Sequence, residues 1–350
     1  MPDGGGAFGG RDVLDEGLSR LAATGPEFHG GLSNHGPMAA EAMIRLGRAD
    51  EVEPWLDGYI RLLEEPPQAT GKITDENWRE ALGVPRRVGD WELYLRNQLA
   101  EDPWPDVLAR WWPRLTPGLA AAATHGIIRT SHAARSLAAD QTGERLAELA
   151  RGMAYWAASY LEVPGAARAL GGLDLQAAVA GLPVPADPVP GWLITDRIRA
   201  GLAGEPGFPA AVAALRPPDD VGTGLLELGT TFARVFVVYG RSQPIGFLHA
   251  VTAPVAARSA LELLPADLGR PTHDRLWQVA AALYSVHATG AEPEPVPAVD
   301  PPAPDVLADR AVATGDEHAI KLTEACLRLY AESPDPVLLH AAARGCELLG

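Results

Sequence analysis

Apolar residues recur along most of this chain at the three- and four-residue spacing of helix faces, punctuated by proline, glycine and short polar caps. Asn34 is placed to cap a helix with Pro37 in its first turn and Met38, Ala42, Ile44 and Leu46 before Gly47. Pro54 opens a second, carrying Trp55, Leu56, Tyr59, Ile60 and Leu63 as far as Pro66-Pro67. Asp90 is placed to cap another, with Trp91, Leu93, Tyr94 and Leu95 near its start. Residues 116–139 read as one long alanine-rich helix with Pro117 in its first turn, and 144–161 as its successor, with Leu146, Leu149, Met153 and Trp156 on one face. The glycine- and proline-rich stretch 164–192 reads as a short helix between loops. Residues 223–239 include Val235-Phe236-Val237-Val238, which a strand could carry, but their length and surroundings favour helix. Residues 247–264 and 273–288 form a further pair, and 308–332 and 336–349 are the last two helices. This pattern predicts an all-α fold: one large helical-bundle domain with long loops over 11–350, after a flexible glycine-rich tail at 1–10. The proline-rich connector AEPEPVPAVDPPAP (291–304) lies within it.

Composition narrows the function classes. With 47% hydrophobic and 21% charged residues the chain is globular. Its formal net charge of −16 repels nucleic acid and anionic lipid, so neither is an expected partner. The N-terminus has no basic run followed by an apolar core. No window approaches the ~18–20 uncharged apolar residues of a membrane span. A cytoplasmic protein is expected, with Cys326 and Cys346 as reduced, buried thiols. Of 29 basic residues only Lys72 and Lys321 are lysine, so a retained lysine is either incidental or needed for amine chemistry that a guanidinium cannot perform.

Familiar catalytic motifs are missing. GGGAFGG and the glycines at 222, 224 and 229 do not sit between strand and helix as a dinucleotide fingerprint requires. There is no phosphate loop, no H-E-x-x-H, no G-x-S-x-G, and too few cysteines for a zinc ribbon. Nine histidines remain. His35 opens a helix; His125 and His132 are two turns apart and share a face with Arg129; His249 follows Gly246-Phe247-Leu248; His318 precedes Lys321 by one turn. Each alone reads most simply as a hydrogen-bonded core residue or cap. Together they allow a metal site collected from separate helices, or a helical core without one.

Four segments in order resemble the questin oxidase-like family: Ser33-Asn34-His35-Gly36-Pro37-Met38-Ala39, His125-Gly126-Ile127-Ile128-Arg129-Thr130, Gly246-Phe247-Leu248-His249-Ala250-Val251-Thr252 and Asp316-Glu317-His318-Ala319-Ile320-Lys321-Leu322. The resemblance implies an oxygenase that opens a ring of an anthraquinone-type polyketide with O2. It further implies a non-haem iron held by His35, His125, His249, His318 and a carboxylated Lys321. Arg129 stands where the fungal members have a second histidine. His132 is the reserve candidate, as a proton shuttle beside the metal or as a ligand if His35 is only a cap. Lys72 is expected to face solvent. Trp91, Tyr94, Trp111, Trp112, Trp156 and Trp277 could line an aromatic pocket, although core packing is the better expectation for each. Two other readings stand beside this one: an NADPH-dependent Baeyer–Villiger-type monooxygenase, for which no nucleotide motif is present, and a non-catalytic helical ligand-binding protein.

Overall fold

The helical spacing is realised in a computed structural model that describes residues 6–350, with side chains from Val13 onward. The expected tail at 1–10 falls partly outside the described residues; from Gly6 it already belongs to α1 (Gly6–Leu21). Two-residue strands β1 (Glu27–Phe28) and β2 (Leu32–Ser33) pair antiparallel, and they are the one sheet among the described residues. The turn between them needs positive φ at His29, Gly30 and Gly31. Then follow α2 (Gly36–Arg45), α3 (Val52–Tyr59), α4 (Val88–Glu101) and α5 (Trp104–Leu115). Beyond them lie α6 (His125–Ala139), α7 (Gly143–Ala158), α8 (Leu175–Ala180), α9 (Ile194–Leu202) and α10 (Phe208–Ala213). The chain closes with α11 (Val221–Tyr239), α12 (Pro244–Leu261), α13 (Gly269–His287), α14 (Pro304–Thr314), α15 (Glu317–Glu332) and α16 (Pro336–Leu349). The fold is all-α.

Four helices close on one another in a ring: α2 packs on α6, α6 on α12, α12 on α15 and α15 back on α2. Around this ring the tryptophans fill the core. Trp91 meets Trp111, and Trp112 meets Trp156, edge-to-face at 5.4 Å in both cases. The indole N–H groups of Trp91, Trp156 and Trp277 donate to the Ala81, Gly118 and Val212 carbonyls, and that of Trp112 to the Thr272 hydroxyl. Trp91, Trp111, Trp112, Trp156 and Trp277 are therefore packing residues with satisfied donors.

Several local expectations fail for physical reasons. Asp90 does not cap α4 but lies inside its first turn, where its carboxylate accepts from the Thr70 and Gly71 amides and pairs with Arg87. The 116–139 stretch is not one helix. Two 3-10 turns come first, and Ala122, Ala123 and Thr124 adopt φ of 46°, 54° and 75°, so α6 starts only at His125. The 308–332 stretch divides at Gly315, which takes φ 71°, and Asp316 caps a new helix. Val235-Phe236-Val237-Val238 is helical, within α11. By length and composition α11 is apolar enough to cross a membrane, although it is not the uncharged run that the sequence was searched for. Yet it buries Leu228, Phe232 and Phe236 against its neighbours and exposes Glu227 and Arg234, as a core helix does.

Candidate metal centre

Each of the four helices in the ring contributes one histidine. His35 is the N-cap residue of α2, just after the hairpin. Its backbone N–H donates to the Tyr59 hydroxyl at 2.7 Å, while Asn34 accepts from Gly36 and donates to the Gly25 carbonyl. A Cβ on Gly36 would lie 2.6 Å from Leu21 Cδ2, so a side chain there would require Leu21 to shift. His125 is the first residue of α6, and the left-handed run before it brings the Ala122 carbonyl to the ring's Nδ1 at 2.5 Å. His249, inside α12, places Nδ1 on the Ile245 carbonyl at 2.7 Å. His318 lies in the first turn of α15, where Asp316 Oδ1 accepts from its amide and from that of Ala319.

The rings meet. His125 Nε2 lies 2.7 Å from His35 Nε2 and 3.2 Å from His249 Nε2. Ring centroids of His35 and His318 are 4.4 Å apart, and those of His249 and His318 are 6.0 Å apart. A carbonyl oxygen only accepts, so Nδ1 carries the proton in both His125 and His249. In neutral rings that leaves both Nε2 atoms as bare lone pairs facing each other. Neutral they are: burial first, and then neighbouring positive charge, holds His35, His125 and His249 well below the ordinary imidazole pKa. His35 cannot repair the contact. Its Nε2 faces the bare His125 nitrogen, and its Nδ1 lies 3.5 Å from Glu317 Oε1, another acceptor, so one proton cannot serve both sides. A cation between the rings could satisfy these lone pairs. Two imidazole nitrogens each ~2.1 Å from one metal and at right angles stand about 3.0 Å apart, close to the spacing seen.

Anionic and amine groups border the rings. Lys321, one turn beyond His318, is 2% exposed, and its Nζ has no hydrogen-bond partner. Burial lowers its pKa from 10.5 to about 7, with Glu317 and Asp316 acting in the opposite direction. When protonated, it would add to the causes that lower the pKa of His35, His125 and His249. His318 Nδ1, also without a hydrogen-bond partner, lies 3.5 Å from Asp316 Oδ1 and 3.7 Å from Glu317 Oε1. His35, His125 and His318 offer ring nitrogens within 4.8 Å of one another, and Asp316, Glu317 and His318 form a second such group. His249 reaches the first through His125 alone. Imidazole and carboxylate donors of this kind could hold a first-row metal. A cavity of about 750 Å³ opens onto His35, His125, His249 and His318. Phe28, Leu193, Ile194 and Ile245 supply apolar wall, and Trp192, 77% exposed, lies on it.

His132 does not join the rings. Although it lies two turns along α6 from His125, its Nδ1 is 2.9 Å from Glu41 Oε2, in a buried network with Arg135 and Glu324. Arg129 likewise turns away to pair with Glu148 through both its Nε and Nη2. Lys72 is exposed, as expected. Sequence reasoning overlooked Glu317, Tyr59 and His287, which the fold brings to the same place. For Glu317 the signal was available: an acidic pair immediately before His318. Tyr59 and His287 carried none, because only the tertiary packing brings their helices alongside. Among known proteins, no family model matches this chain and no curated protein sequence matches it.

Proposed function

We propose that this chain is a non-haem iron oxygenase that uses O2 to open a ring of an electron-rich aromatic polyketide, such as a hydroquinone or anthraquinone. The observation that carries the reading is the facing pair of unprotonated Nε2 atoms of His125 and His249, in a cluster of four histidines beside a buried lysine without a partner. The resemblance of the four histidine-bearing segments to questin oxidase-like enzymes supports the choice of iron and of substrate class.

His35, His125, His249 and His318 would hold the metal, and Lys321 would complete the set as a carbamate. With a pKa of about 7, a large fraction of its amine is neutral at neutral pH. A neutral amine adds CO2 and releases one proton, giving an anionic oxygen donor where arginine could give none. Glu317 would hold the second nitrogen of His35 and fix the ring's orientation. A bound iron would supply O2 activation and electron exchange with the aromatic ring. The chain's own part is to present the substrate edge to the four rings and to keep water off that edge with the apolar wall of the cavity.

The test combines metal content with turnover. Protein loaded anaerobically with Fe(II) should bind one iron per chain and, on admission of O2, convert an anthrahydroquinone to ring-opened product. Product formed under air by metal-stripped protein supplied with NADPH would overturn the mechanism and favour the nicotinamide-dependent alternative.

A further inference from the structure

One buried polar atom, on a residue that lines the cavity, has no role in the metal reading. His287 is the last residue of α13, 3% exposed, and it lines the same cavity as the four clustered rings. Its Nδ1 lies 2.8 Å from the Leu283 carbonyl, which can only accept, so the proton sits on Nδ1 and Nε2 is left as an acceptor. That Nε2 has no hydrogen-bond partner. Burial, with a contribution from the Arg197 charge, lowers the ring's pKa to about 4, so Nε2 stays an acceptor at neutral pH. The ring is held close to α12. A Cβ on Gly246 would lie 2.6 Å from its Cδ2 and 2.7 Å from its Nε2, so only glycine fits there, one turn before His249. Arg197 and Gln243 lie on the same wall, joined at 2.8 Å.

We propose that His287 is a specificity-determining residue, which accepts a hydrogen bond from a hydroxyl on the aromatic ligand and so selects phenols over their ethers and over bare hydrocarbons. The proposal rests on the reading that this cavity is the substrate site. A neutral acceptor left unpaired in a buried wall costs free energy until a donor arrives. A phenol supplies that donor, and a methyl ether of the same size does not. Discrimination then comes from the unpaired site rejecting the ether as much as from the bond gained with the phenol.

The experiment measures dissociation constants of 2-naphthol and 2-methoxynaphthalene by calorimetry on metal-free protein, so that its outcome is independent of iron. Wild-type protein should prefer the naphthol roughly 5- to 10-fold, the range expected of one hydrogen bond. His287→Phe, which keeps an aromatic ring and removes the acceptor, should bring the ratio near one. His287→Gln, whose amide oxygen reaches the place of Nε2, should restore most of it. Circular dichroism and urea unfolding check that each variant is folded. Equal affinity of wild type for both ligands, binding of neither, or undiminished discrimination in a folded His287→Phe would overturn the assignment. If discrimination is seen but no iron binds, the oxygenase reading fails and this one stands.

Discussion

Replacing Lys321 by methionine should strengthen the metal-free protein and weaken the metal-bound one. The side chain is fully buried and its amine has no partner, so protonating it inside the fold is unfavourable. Its pKa falls from 10.5 to about 7, whereas the unfolded chain keeps the ordinary value. The unfolded state therefore binds the proton more tightly, and wild-type stability rises with pH between those two values. Integrating that difference gives a penalty of about 4 kcal/mol at pH 7 and about 2 kcal/mol at pH 9, as a ceiling. Methionine fills nearly the same volume with no charge to bury, so it removes the penalty without opening a large cavity. Urea denaturation of both metal-free proteins in CO2-free buffer should show the variant more stable at pH 7, with its advantage roughly halved by pH 9. Iron titration should show the opposite order, with affinity reduced ~10- to 100-fold as for loss of a ligand or its support. Equal denaturation midpoints at both pH values would refute the burial argument. Undiminished iron affinity would refute carbamate ligation and leave Glu317 as the anionic donor.

Two further outcomes follow from the same geometry. Glu317→Gln should keep the fold but lower iron affinity ~10-fold, because it withdraws the carboxylate beside His35 Nδ1; metal titration monitored by absorbance reads it. Arg129→Met should leave Glu148 buried without its partner and destabilise the protein by ~3–5 kcal/mol, visible in urea unfolding, since both side chains are only 4% exposed.

The elements and the centre were legible to different degrees. Long periodic stretches such as 144–161, 223–239 and 336–349 became helices close to where the apolar spacing put them. The break before His125 was invisible, because three alanine-rich residues in left-handed conformation carry no sequence mark. Alanine is the best helix former, and only tertiary contacts override it here, among them Trp156 donating to the Gly118 carbonyl and Tyr160 covering Gly118. The Gly315 break was readable, since glycine followed by aspartate is a stop and a start, but the apolar run around it concealed it. His125, His132 and Arg129 share a helix face by spacing, yet their rings and guanidinium serve separate partners. Periodicity places a Cβ and does not choose among the neighbours that other helices bring.

That break is the local cost that builds the centre. Continuous helix from 116 would engage the Ala122 carbonyl in the helix ladder and turn the His125 ring along its wall. The left-handed run instead gives that carbonyl to Nδ1 and directs Nε2 at His35 and His249. The remaining unsatisfied atoms point to the same place. Among the described residues, the buried side-chain atoms without a hydrogen bond include four hydroxyls, of Thr124, Ser131, Thr230 and Ser285. Three more are Nε atoms of arginines whose guanidinium groups are ion-paired, Arg258 with Glu332, Arg328 with Glu324 and Arg344 with Glu294. What is left is His35 Nδ1, His318 Nδ1, His287 Nε2 and Lys321 Nζ. Three belong to side chains lining one cavity, and the fourth lies one helical turn from His318. Buried charge elsewhere among the described residues finds its counterpart, as Arg129 finds Glu148 and Arg135 finds Glu41 and Glu324. Among the described residues, buried charges are paired this consistently, while three histidines and one of the two lysines keep unpaired atoms in a single place, which is where the chain could hold a metal.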